Sequence, residues 1–104
     1  MKKLLVGITL VLFIFVSGQV LAHTLLCSCW NNGDGTVTCE GGFSDGSSAA
    51  GVDIKVVDRQ GQVIKKGKMS DRSQYTFEEP DKPYTVILDA GPGHKVKIGS
   101  EKIF

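Results

Sequence analysis

Three cysteines and two histidines carry most of the chemical capacity of this chain, and their spacing bounds what each can do. Cys27 and Cys29 are two residues apart, so on a β-strand they share one face. Between them and Cys39 lies Asn31-Asn32-Gly33-Asp34-Gly35, a cluster that tolerates positive φ and reads as a hairpin turn. With a loop of 31–35, Cys39 returns opposite Cys27; a slip of two residues puts it opposite Cys29. Directly opposed residues at a non-hydrogen-bonded site stand about 4.5 Å apart at Cα, within disulfide range. The expectation is one cross-strand disulfide from Cys39 to Cys27 or to Cys29, with one thiol left over. Two or three thiolates are also ligands for a soft metal, which adds Cys27 to the candidate metal ligands. No C-x-x-C pair marks a zinc knuckle.

The histidines take their meaning from the N-terminal segment. Lys2 and Lys3 precede an apolar run over 4–16, Ser17-Gly18-Gln19 interrupts it, and Val20-Leu21-Ala22 supplies a cleavage site. That order reads as a signal peptide over residues 1–22, in a run too short for a membrane-spanning helix. Cleavage after Ala22 would send residues 23–104 to the periplasm or outside the cell, with no stable membrane span. His23 would then be the first residue, offering an α-amine and an imidazole that can chelate one ion together. His94 follows Gly91-Pro92-Gly93 and opens the last candidate strand. If the first and last strands pair in parallel, as in many Ig-like sandwiches, their starts come together. His23 and His94 are therefore the leading metal ligands, and imidazole suits nickel, copper and zinc.

The elements that must position these residues are β-strands. Short alternating segments at 24–30, 36–43, 52–57, 62–66, 74–78, 84–88 and 94–98 are separated by Gly, Asp, Asn, Ser and Pro. Val52, Ile54 and Val56 alternate with Asp53 and Lys55; Tyr84, Val86 and Leu88 repeat the pattern. No amphipathic helix interrupts them. About seven strands in one domain over 23–104 predict an all-β two-sheet sandwich, Ig-like or transthyretin-like. Trp30 is opposite in parity to the cysteines. The aspartates 45, 53 and 58 read as solvated, and the scattered glycines, Gly41 among them, as turn or bulge residues.

Composition excludes several functions. The chain has 104 residues and a net charge of +1; without Lys2 and Lys3, ten cations face eleven acidic residues. A domain at about −1 has no cationic surplus for a nucleic-acid partner. The domain is small for a deep catalytic cleft. No nucleophile elbow or serine–histidine arrangement supports catalysis, so a non-enzymatic role is expected.

Three segments stand out, Phe43-Ser44-Asp45-Gly46, Val52-Asp53-Ile54-Lys55-Val56-Val57-Asp58 and, the most specific, Asp89-Ala90-Gly91-Pro92-Gly93-His94. With His23 after the leader, Trp30 ending the first strand, and Gly61 and Gly67, the chain resembles a family of small periplasmic β-sandwich proteins. These accompany nickel and cobalt transporters of the energy-coupling-factor type. The resemblance implies an Ig-like or carboxypeptidase-regulatory-like fold and delivery of Ni²⁺ or Co²⁺ to a membrane transporter subunit. The family has apolar or small residues where this chain has Cys27, Cys29 and Cys39, which points to a disulfide staple or to softer metals. A copper carrier or resistance protein, and a structural Ig-like extracellular module without metal, are the alternatives.

Overall fold

The computed structural model describes residues 23–104; the leader assigned to residues 1–22 lies outside the described residues. Seven strands follow in order: β1 (Leu25–Asn31), β2 (Thr36–Phe43), β3 (Asp53–Asp58), β4 (Val63–Lys68), β5 (Gln74–Glu78), β6 (Tyr84–Asp89) and β7 (Lys95–Gly99). A short 3₁₀ turn, Ser100–Lys102, closes the chain. All ladders are antiparallel, in a three-stranded sheet ordered β1-β2-β5 and a four-stranded sheet ordered β4-β3-β6-β7. This is the expected β-sandwich, and its crossed strand order is of the Ig-like Greek-key kind.

The period of two in the sequence becomes the core directly. Leu25, Cys29, Val37, Cys39 and Phe77 point inward from one sheet and meet Ile54, Val56, Tyr84, Val86 and Leu88 from the other. Ala49 and Met69, from connecting segments, complete the buried layer. Two glycines are set by close approach rather than by turns. A Cβ on Gly41 would stand 3.0 Å from Leu88 Cδ2, and one on Gly67 would stand 2.6 Å from Tyr75 Cε1. Gly41 is thus a packing residue inside β2, not the turn or bulge its neighbours in sequence imply.

Asp58 also departs from the solvated reading. Its side chain is buried, and Oδ1 accepts the backbone N–H groups of Gln60 and Gln62, both at 2.9 Å. Lys82 Nζ approaches the other oxygen at 3.7 Å. The carboxylate replaces water for the β3–β4 turn, so its burial is compensated.

The first and last strands do not share a ladder. β1 and β7 are edge strands of opposite sheets that lie against each other along one side of the sandwich. They nevertheless run in the same direction. At the end of β1 the Asn31 N–H donates to the Phe104 carbonyl at 2.7 Å, while the residues preceding both strands gather at the opposite end. The expected meeting of the two starts is achieved through the edges of two sheets.

Candidate functional site

Three chain segments build that end of the sandwich. Thr24 is fastened to the β2–β3 loop by its carbonyl, which accepts Ser44 N–H at 2.8 Å, and by its own N–H, which donates to Ser44 Oγ at 3.0 Å. The β6–β7 turn is folded by two backbone bonds, from Ala90 N–H to the His94 carbonyl at 2.8 Å and from His94 N–H to the Gly91 carbonyl at 2.9 Å. Gly91 and Gly93 have φ of 114° and 78°, a region closed to most side chains, so this turn needs glycine at both places. The Asp89 carboxylate accepts Gly91 N–H at 2.9 Å and fixes the turn to the end of β6.

His23 and His94 thereby line one surface cavity of about 280 Å³, together with Thr24, Leu25, Gly93 and Lys95. His94 packs edge-on against Phe43, ring centroids 6.4 Å apart. His23 is largely exposed, and its Nδ1 lies 3.0 Å from Asp45 Oδ2. The other oxygen of Asp45 accepts both the N–H of Ser47, at 2.9 Å, and its hydroxyl, at 2.6 Å. Those bonds from Ser47, with a smaller contribution from His23, hold the Asp45 carboxyl below its usual range. An ionised Asp45 facing Nδ1 selects the imidazole tautomer with its proton on Nδ1 and leaves Nε2 as the acceptor. A carboxylate behind a histidine is the usual support for a metal-binding imidazole.

Chelation through the α-amine would use Nδ1, because only that nitrogen closes a compact ring with the amine. With Nδ1 turned to Asp45, the ring must swing away before such a chelate can form. Sequence reasoning placed the two histidines together but missed Asp45. Its only local signal was the Asp-x-Ser spacing of a capped turn, which carries no hint of a partner 22 residues earlier.

The sulfur atoms form a second constellation in the middle of β1 and β2. The strand register pairs Trp30 with Thr38, Cys29 with Cys39, and Cys27 with Gly41. Of the two registers open from the sequence, the one slipped by two residues is adopted. Cys29 and Cys39 form a disulfide with Cα atoms 4.0 Å apart. Cys27 is a free, half-buried thiol on the same face, and burial pushes its pKa up to about 11. The three sulfurs all lie within 4.8 Å of one another. Among the described residues, His23, His94 and Asp45 do not form a second cluster of this spacing.

Among the described residues no helix is long and apolar enough to cross a membrane. No family model, curated protein or solved structure matches the chain.

Proposed function

We propose that the protein binds a divalent transition metal, Ni²⁺ or Co²⁺ in preference and Cu²⁺ as the alternative, at the end of the sandwich where His23 and His94 meet. The observation that carries this reading is the Asp45–His23 contact: a carboxylate anchored by Ser47 orients an exposed imidazole beside a second histidine in one cavity. His23 Nε2 and His94 supply two nitrogens. Water or a donor from a transporter subunit completes the coordination.

Two protein ligands and an open rim suit a carrier that must give its metal up. The reading places the protein in the periplasm or outside the cell, where the Cys29–Cys39 disulfide persists. It gives the protein an accessory, non-enzymatic role in metal uptake, in keeping with the resemblance to nickel and cobalt transport components.

Calorimetric titration with Ni²⁺ tests it on protein processed to begin at His23. His94→Ala should weaken binding by more than an order of magnitude. Asp45→Asn should weaken it roughly 10–100-fold, the usual effect of removing the group behind a ligand. Acid should release the ion, because protons compete for the same nitrogens. A Met placed before His23 separates two modes: binding through Nε2 survives it, and a chelate through the amine and Nδ1 does not. Equal affinity in the native protein and in His94→Ala would place the metal elsewhere and end the proposal.

A further inference from the structure

The sulfur cluster lies apart from the histidine end and calls for its own account. Closed, the Cys29–Cys39 disulfide offers no thiolate. Opened, it places three thiols on one inward face, two on β1 and one directly across on β2. We infer that the reduced protein holds one Cu(I) ion between Cys27, Cys29 and Cys39, so that the disulfide acts as a redox gate on a soft-metal site.

The spacing fits. Three thiolates about 2.3 Å from one ion stand roughly 3.8–4.0 Å apart in tetrahedral or trigonal geometry. The three sulfurs here are all within 4.8 Å of each other. Opening the disulfide lets two of them spread toward that separation while Cys27 moves in by a fraction of its present distance, without a change of strand register.

The surroundings favour a soft ion. Gly41, opposite Cys27, leaves the space that a side chain would fill, and the end of Met69 occupies it. Met69 Cε lies 3.3 Å from where a Gly41 Cβ would be. A thioether in the same layer is a donor for Cu(I), whereas Zn²⁺ takes thiolate, imidazole and carboxylate. Cys27 is the half-exposed member of the three. Cys29 and Cys39 are buried, so an ion enters past Cys27.

The chemistry balances with a dithiol as reductant. Two electrons and two protons pass to the Cys29–Cys39 bond, the S–S bond breaks to two thiols, and the dithiol closes to its own disulfide. Cu(I) then binds as the thiols give up their protons to solvent. With a disulfide compound as oxidant, the Cys29 and Cys39 thiolates give up two electrons and rejoin, the oxidant is reduced to its dithiol with two protons from solvent, and the Cu(I) is released.

The test is an anaerobic titration of the purified protein with Cu(I), against a chromophoric Cu(I) chelator as competitor. It is run on the oxidised form, on the form reduced by a phosphine and freed of it, and on reduced Cys27→Ser. The reduced protein should take up one Cu(I) per chain, with the luminescence of a solvent-shielded copper thiolate and its β-sheet dichroism retained. The oxidised protein should lose the competition. Reduced Cys27→Ser, which lacks the disulfide equally, should bind at least tenfold more weakly. Equal uptake by oxidised and reduced protein, or by Cys27→Ser, would overturn the inference. Uptake accompanied by loss of the β-sheet signal would overturn it too, because the site would then belong to an unfolded chain.

Discussion

The two sheets of this sandwich solve the same packing problem with different materials. The four-stranded sheet fills its inner face with aliphatic side chains, Ile54, Val56, Val86 and Leu88, all essentially sealed from water. Its strands carry six lysines at 55, 65, 66, 68, 95 and 97. The three-stranded sheet has no lysine or arginine on any strand. It spends two inward positions on a disulfide, one on a free thiol and one on a glycine. One sheet is held by the apolar area it buries, the other partly by a covalent bond. The lesson is that the sheet with the weaker apolar layer is the one left free to carry reactive atoms.

The largest expected effect sharpens that contrast on the aliphatic side. Leu88 is fully buried and touches the space over Gly41, so Leu88→Ala removes contacts to both sheets. It should lower unfolding free energy by about 2–5 kcal/mol, read from urea denaturation monitored by tryptophan fluorescence. A loss under 1 kcal/mol, on the order of an Ile→Val trim, would mean the aliphatic layer is not the main support.

Next comes the covalent side. Converting Cys29 and Cys39 together to serine frees a loop closed across a sequence separation of 10. The expected loss is roughly 3 kcal/mol or less, because a short loop has little denatured-state entropy to restrain. The three-stranded sheet should also open first, seen as faster amide hydrogen exchange in β1 than in β6. Uniform acceleration across both sheets would erase the distinction.

The smallest effect concerns the surface turns. Hydrogen bonds from Thr36 and Ser47 hold the carboxyls of Asp34 and Asp45 below their usual range, and Lys68 does the same for Asp53. Carboxyls depressed by folding add stability above the ordinary aspartate value, about pH 3.9, and lose it as pH falls through their folded values. The midpoint of urea unfolding should therefore drop slightly between pH 5 and pH 2, more weakly in Asp34→Asn or Asp45→Asn. These groups are exposed, so each contribution is small.

Much of this was legible in the amino-acid order. Seven alternating segments became seven strands, because burial on one face of a strand writes itself as a period of two. The disulfide partner was not legible, for a reason built into the same period. A slip of two residues keeps Val37, Cys39 and every other inward residue on the same face, so hydrophobic pattern cannot separate the two registers. The turn decides it: Asn31 joins the ladder opposite Val37, and its side chain accepts Gly33 N–H at 2.8 Å. Asp58 was misread as solvated because the packing that buries it is tertiary, while Asp45 is exposed as expected and only its partner was missed. One is satisfied by backbone N–H groups of its own turn and faces Lys82. The other meets a histidine across two segments. That His23 and His94 line one cavity was legible from the shared direction of the first and last strands, though the ladder expected to join them is replaced by two sheet edges.

The bond between Asn31 and the Phe104 carbonyl has a practical consequence. It fastens the last residue beside the far end of β1, about seven strand residues or some 24 Å from where that strand begins. A fluorophore, a surface linker or a fused partner attached after Phe104 therefore stands off from the two histidines by about the length of β1. A chip bearing the protein by that residue would present the histidine cavity outward, toward whatever flows past.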